Sequence, residues 1–226
     1  MSARIISLVP SMTETLLDWG VTPAACTRFC EQPELRHVGG TKDPDVAAIA
    51  ALRPDLVIVD AEENRREDHA ALVAAGLEVH VLHIRSVDDV GPQLTALAAR
   101  LGVEWTMPDL PEPPAAPRLT AFVPIWKRPW MALGAPTYGT SVLERLGVVS
   151  VFADSGPYPE TTLEAARERR PDVVLAPSEP YPFAERHRAQ LEVVAPVVFV
   201  DGKDLVWWGT RTVPGLHRLA AVLPVS

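Results

Sequence analysis

The residues best equipped for chemistry lie in a few polar stretches that follow apolar runs. "EENRRED", Glu62 to Asp68, sets Arg65 and Arg66 among four carboxylates, with Asn64 beside them. The acids suit a helix N-terminus, where they complement the macrodipole. The arginines do not, so Arg65 or Arg66 is a candidate for holding a ligand carboxylate, phosphate or amide through two parallel hydrogen bonds. The alternative for this run is a solvated, self-neutralising helix start.

A second group is aromatic. "WKRPWMALGAPTY" places Trp126, Trp130 and Tyr138 around Lys127 and Arg128, "EPYPF" adds Glu179, Tyr181 and Phe183, and "DLVWWG" adds Trp207 and Trp208. Rings on loops offer large contact area at small conformational cost, plus a polar tip, which suits a planar or bulky ligand. The competing reading puts Trp126 and one of Trp207 and Trp208 in a core, because large rings usually bury most of their area.

Catalytic patterns are missing. The chain has no GxSxG elbow, P-loop, HExxH or GxGxxG. "VGGTKDP" lacks Walker spacing and reads as a turn into a helix at Asp45. The six histidines are scattered, and His80 and His83 fall on opposite faces of an expected strand. Cys26 and Cys30, in "CTRFC", make neither a disulfide framework nor a closed zinc site and are expected to be ordinary reduced thiols. No metal site and no required cofactor are expected.

These stretches need elements to carry them. A chain of 226 residues with 47% apolar and 22% charged residues can build one large domain or two small ones. "RIISLVP", "DLVIVD" and "LEVHVLHI" read as strands. "SMTETLLDWG", capped by Ser11 or Thr13, "DPDVAAIAALRP" and "RREDHAALVAAG" read as helices. "SVDDVGPQLTALAARLG" reads as a further helix, capped by Ser86 and kinked or restarted at Pro92. Alternation of this kind means βαβ units and a parallel sheet. "WTMPDLPEPPAAPR", Trp105 to Arg118, has five prolines and no periodicity, so it is a linker.

The plan then repeats: "RLTAFVPIW", "PTYGTSVLERLGV", "TLEAARERRPDVVLAP", "HRAQLEVVAP", "VVFVDG" and "VPGLHRLAAVL". Even the strand-opening phrase recurs, as "RPDLVIV" from Arg53 and "RPDVVLA" from Arg170. The expected architecture is α/β. Residues 1–85 and 118–226 form Rossmann-like lobes with parallel central sheets, and residues 86–117 form a linking helix and proline-rich linker. A ligand cleft lies between the lobes. Ligands of open α/β sheets sit beyond the carboxyl ends of the strands. That selects Ser11 and Met12 in the first loop, Glu63 to Arg66 in the second, and the aromatic loops of the other lobe.

"RIISLVPSMTETLLDWG", "DPDVAAIAALRPDLVIV", "YGTSVLERLG", "FADSGPYPETTLEAARERRPDVVLAP" and "FVDGKDLVWWG" together resemble the class III, helical-backbone substrate-binding proteins. The branch they resemble contains the vitamin B12 (cobalamin) receptors of ABC importers. The resemblance implies a non-catalytic protein that binds a metal chelate or corrinoid, with cobalamin or another chelate as ligand rather than cofactor. It implies that Phe29 retains an upstream aromatic contact and that Trp207 and Trp208 lie in a corrin-contacting segment. It also assigns permease docking to Glu164 in the second lobe and to Ala47, not an acid, in the first.

The chain shows no leader before "RIISLVP" and no apolar run of membrane-spanning length, so a cytoplasmic protein is expected, or a periplasmic or cell-surface one if a leader was lost. A net charge of −8 argues against nucleic acid as partner, and the expected partner is a small molecule. Two alternatives remain open. One is a cytosolic chelatase-like enzyme of cofactor metabolism, with His37 as its loosely suitable metal-handling residue. The other is the solute receptor of an ABC importer for cobalamin or ferric chelates.

Overall fold

The computed structural model describes residues 3–224. The chain folds as two compact units. One holds residues up to Ile84, then Asp88–Met107 and Trp208–Arg211. The other holds Arg85–Val87, Pro108–Trp207 and the residues from Thr212 on.

The first unit runs β1 (Ile5–Ser7), α1 (Pro10–Asp18), β2 (Ala25–Cys26), β3 (Gly39–Gly40), β4 (Asp43–Pro44), α2 (Val46–Ala51), β5 (Leu56–Asp60), α3 (Arg66–Ala74), β6 (Val79–Leu82) and α4 (Val87–Leu101), the last from Asp88 on. Its sheet has the order β2-β1-β5-β6, parallel throughout, with Ile6 beside Val57 and Val57 beside Val79. Every residue of β5 is buried, as an unbroken apolar run requires of a central parallel strand. Ile6, Leu8, Ile49, Val57, Val59 and Leu72 form the core between sheet and helices.

The second unit runs β7 (Leu119–Phe122), β8 (Pro124–Lys127), β9 (Trp130–Ala132), α5 (Tyr138–Arg145), β10 (Val148–Ser150), β11 (Glu160–Thr161), α6 (Leu163–Glu168), β12 (Val173–Pro177), α7 (Arg188–Leu191), β13 (Val197–Val200), α8 (Gly202–Val206) and α9 (Thr212–Val222). The order β10-β7-β12-β13 is again parallel, and its topology mirrors that of the first unit. A three-stranded antiparallel sheet, β11-β9-β8, is added to it. The α/β class and the parallel central sheets are therefore as the sequence leads one to expect.

The recurring "RPD" has a structural cause. Arg53 and Arg170 each close a helix in the left-handed region, at φ 47° and 52°, with their amides bonded to Ala50 O and Arg167 O. Proline then forbids further helix. The aspartate pins the neighbouring strand: Asp55 accepts from the Arg4 amide at 2.7 Å, and Asp172 from the Thr120 amide at 2.8 Å. Each phrase thus ends a helix and sets a strand's register in three residues.

Several local expectations are corrected. Neither Ser11 nor Thr13 caps α1. Pro10 occupies the first turn, where no amide is needed, and Val9 precedes it without a side-chain cap. Pro92 lies inside α4 without ending it. It is exposed, while Val87, Val90, Leu94, Leu97 and Ala98 form the buried stripe that holds the helix. "RLTAFVPIW" breaks at Val123 into strands of two different sheets. "HRAQLEVVAP" yields a short 3-10 turn and one turn of α-helix instead of a full helix.

The segment Trp208–Arg211 belongs with the first unit. Arg211 gives Glu14 two hydrogen bonds, at 2.7 and 3.0 Å, and the Thr210 amide donates to the Thr15 hydroxyl at 3.3 Å. Gly209 sits at φ 120° with the Thr15 hydroxyl oxygen 2.1 Å from where a Cβ would lie, so only glycine fits.

Candidate functional site

The second unit gathers rings. The β8–β9 hairpin pairs Trp126 with Met131 and Lys127 with Trp130, which directs both indoles toward the loop that leaves β12. That loop carries Tyr181 and Phe183, and His187 follows in the 3-10 turn. Trp126 meets Tyr181 edge-on at 5.6 Å between ring centroids, and Trp130 stacks on Phe183 at 6.0 Å with 7° between planes. Tyr181 lies 4.7 Å from Phe183, and both pack edge-on against His187. The set is graded in exposure: Phe183 and His187 are buried, Trp130 and Tyr181 half-buried, and Trp126 43% exposed. A buried base thus fixes an aromatic face that ends at Trp126.

His187 Nδ1 accepts the Ala184 amide at 3.1 Å. Burial, with Lys127 and Arg186 nearby, holds its pKa below the ordinary imidazole value, so at neutral pH it is uncharged and serves as a ring in the cluster. Beside this cluster the Trp207 indole donates to Glu179 at 3.1 Å, and the Lys203 ammonium sits 4.8 Å above the Trp207 ring. Gly202 allows this approach, because a Cβ there would fall 2.3 Å from the Glu179 nitrogen.

The first unit contributes the loop after β5. Asp60 is buried, and its carboxylate accepts from the amides of Glu62 at 2.9 Å, Glu63 at 3.2 Å and Ile84 at 3.2 Å. Burial nevertheless pushes its pKa up to about 6, against the pull of those amides. Asn64 accepts the Asp60 amide at 2.9 Å and donates to Leu8 O and Thr41 O at 3.2 and 2.7 Å. Asp60, Asn64, Arg65, Arg66, His69 and Val81 border a depression of about 200 Å³.

Several expected contacts are placed elsewhere. Met12 is completely buried and Ser11 nearly so, its hydroxyl without a hydrogen-bond partner. Trp208 is 3% exposed, an interior ring of the segment that joins the first unit. Tyr138 is 7% exposed, with its hydroxyl 3.0 Å from that of Thr212, so it belongs to the packing at the start of α5. Asn64 is committed to backbone groups. Arg65 forms a bidentate pair with Asp68 at 2.8 and 2.9 Å, the self-neutralising arrangement. Glu63 is half-buried, and Arg66 is exposed on the rim of the depression. Phe29 is 51% exposed, with Arg28 stacked 4.7 Å over it and bonded to Asp43.

Trp126, Trp130 and Tyr181 are thus brought into one face, with Glu179 and Trp207 paired beside it. Sequence reading named Phe183 among the loop rings but passed over His187 as a site residue. The signal was the spacing in "EPYPFAERH", which puts two rings on the loop and an imidazole in the 3-10 turn that follows it. His37, the candidate for metal handling, bonds the Gln32 carbonyl at 3.0 Å. His83 lies just beyond β6 and meets Glu62 at 3.2 Å, both groups exposed. Among the described residues no three His, Cys, Asp or Glu side chains gather to hold a metal ion.

Residues 5–110 match the family model described as periplasmic binding protein. The vitamin B12-binding protein of Salmonella choleraesuis is 25% identical over 194 residues, covering 76% of this chain and 71% of that protein. The periplasmic vitamin B12 binding protein BtuF of Vibrio cholerae superposes with a TM-score of 0.75 at 20% identity, over 97% of this chain and 96% of the other. A periplasmic heme binding protein from Pseudomonas aeruginosa gives a TM-score of 0.78 at 20% identity, over 100% and 96%.

The first part of the chain thus resembles the periplasmic binding proteins, and the chain shares the fold of the solved structures named above. These relatives are named as binding proteins for vitamin B12 or heme. The family model covers the first unit through the end of α4, and the structural likeness extends the fold through the second. Among the described residues no helix is long and apolar enough to cross a membrane.

Proposed function

We propose that the chain binds a planar metal-chelating macrocycle, a corrinoid or a haem, and that the ring face of the second unit receives it. The observation that carries this reading is the graded cluster from Phe183 and His187 through Tyr181 to the exposed Trp126. An exposed indole held rigid from behind presents apolar area that is already ordered, so little conformational entropy is lost when a ligand covers it. The relatives named above as binding vitamin B12 or heme carry ligands of this flat, conjugated kind. Lys127, half-buried, and Arg128, exposed, stand beside the ring face, where they complement acidic substituents on a macrocycle's edge. In the first unit, Arg66 and the exposed Phe29 are the corresponding candidates.

The ligand is a cargo here, and no step of chemistry is assigned to it. Of the two positions that the family resemblance gives to permease docking, Glu164 is an exposed carboxylate in the first turn of α6, and Ala47 is an exposed methyl on α2. A partner that reads a carboxylate on each unit therefore finds one of the two.

The test is titration of the purified protein with cyanocobalamin and, separately, with haemin, followed by quenching of tryptophan fluorescence and by calorimetry. Binding of at least one with a dissociation constant of about 10 µM or tighter is the expected result. No heat and no quenching with either at about 100 µM would sink the proposal.

A further inference from the structure

The second unit has a cleft at the end of its parallel sheet opposite the ring face. Leu119 and Val148, the first residues of β7 and β10, are paired in register, and both line it. The rings lie beyond the other end of that sheet, on the loop that leaves β12 and the hairpin that follows β7. Leu146, just past α5, and Leu223 and Pro224, just past α9, complete an apolar lining around about 420 Å³. Val148 is buried, whereas Leu119, Leu146 and Leu223 are only half-buried, so the fold leaves part of each leucine uncovered.

One charged residue, Arg118, joins this lining. Its amide donates to Gly147 O at 2.7 Å, an acceptor shared with the Leu119 amide at 3.2 Å. Gly147 turns the chain out of α5 at φ 76°. A Cβ there would fall 3.4 Å from Arg118 Cγ and 3.6 Å from Cδ, so the aliphatic stem lies against the glycine. Backbone and stem are thereby held in place. Arg118 is exposed, and among the described residues its guanidinium has no hydrogen-bond or ion-pair partner. Arg169, Arg188 and Arg218 of the same unit are each paired with a carboxylate. Arg118 thus keeps its whole fork of donors for a ligand.

We propose that this cleft binds a linear aliphatic monocarboxylate of medium chain length, with its tail along the leucines and its carboxylate on Arg118. At about 30 Å³ for each water-sized group, 420 Å³ holds on the order of a dozen carbon and oxygen atoms. A single guanidinium matches a single carboxylate through two parallel hydrogen bonds, whereas an alcohol of the same length leaves the fork unused. Both charges stay near water at the exposed arginine, which keeps their desolvation cost small. The cleft and the ring face lie at opposite ends of the sheet, so this inference does not depend on the macrocycle reading.

The test is calorimetric titration of the whole protein with hexanoate, octanoate and decanoate, and with 1-octanol. Decanoate should bind one to one with a dissociation constant of about 100 µM or tighter. Each added methylene should tighten binding about threefold, and octanoate should bind at least about tenfold more tightly than 1-octanol. No heat with decanoate at about 1 mM would overturn the proposal, as would affinity that ignores chain length. Equal binding of octanoate and 1-octanol would do the same, and that comparison needs no substitution. Two variants, shown to be folded by circular dichroism, locate the site. Arg118→Gln should weaken octanoate at least about tenfold and leave 1-octanol unchanged. Leu223→Asp, which sets a like charge on the half-buried wall, should abolish octanoate binding. Normal octanoate binding by either folded variant would put the acid elsewhere and refute the assignment.

Discussion

Asp172, at the start of β12, holds Thr120, at the start of β7, accepting from its amide at 2.8 Å and its hydroxyl at 2.6 Å. These bonds lower the Asp172 pKa, the Thr120 hydroxyl having the largest effect. In return the Asp172 amide donates to the Thr120 carbonyl at 3.0 Å. Asp55 and Arg4 form the counterpart in the first unit, with amide-to-carboxylate and amide-to-carbonyl bonds of 2.7 and 2.8 Å. Replacing Asp172 with Ala should lower stability by about 1 kcal/mol in urea unfolding. Because the folded-state pKa is depressed, the contribution is complete above the unfolded carboxyl pKa and disappears as pH falls through the folded value. The wild-type and variant curves should therefore converge in acid, and a constant difference down to about pH 2 would contradict the assignment.

Asp60 behaves in the opposite sense. Its pKa is raised to about 6 by burial, so between the unfolded value of about 4 and that figure the folded chain holds a proton that the unfolded chain has released. Its contribution is present at low pH and is lost as pH rises through 6. Relative to Asp60→Asn, which does not titrate, wild-type stability should fall by up to about 3 kcal/mol between pH 4 and pH 7. Chemical denaturation of both proteins across that range measures it. A pH-independent difference would mean that the amides of Glu62, Glu63 and Ile84 fully offset the burial.

The central strands were legible because their signal is local. "DLVIVD" and "PDVVLAP" are apolar runs bounded by proline and a polar loop, and both became wholly buried strands. The β8–β9–β11 sheet was not legible, since β11 has only two residues and pairs with a strand far off in sequence. The same distinction divides the candidate site. Trp126 and Trp130 are placed by a hairpin that their own neighbours encode. Trp208 and Tyr138 have similar local settings, but distant packing turned them inward. A ring's type is written in the sequence, whereas its exposure is decided by residues elsewhere in the chain.

Trp126 and Tyr138 separate binding from stability. Trp126→Ala removes about 100 Å² of ligand-facing surface, worth roughly 2 kcal/mol, and so should weaken macrocycle binding at least about tenfold. The melting temperature should barely move, since the ring is 43% exposed. Tyr138→Ala should instead destabilise the fold by about 3 kcal/mol, as the loss of a buried ring does. Tyr138→Phe, which removes only the bond to Thr212, should cost about 1 kcal/mol. Calorimetric melts alongside ligand titrations distinguish the two residues, and a Trp126→Ala protein that binds normally would remove the ring face from the site.

The same reasoning applies to the anchor of the C-terminal helix. Asp204, on α8, has a side chain only 2% exposed, and Arg218, on α9, meets it with two hydrogen bonds at 2.6 and 2.7 Å. A carboxylate that deep in the protein needs its donors, because an uncompensated buried charge costs more than the pair contributes. Arg218→Met keeps much of the aliphatic stem while deleting the guanidinium. It should destabilise the second unit by about 2 kcal/mol. Adding Asp204→Asn should recover part of that loss, because it removes the buried charge that the guanidinium offset. Urea unfolding of the two single variants and the double variant tests this as a cycle. Strictly additive effects would show that the two side chains act independently in spite of their contact.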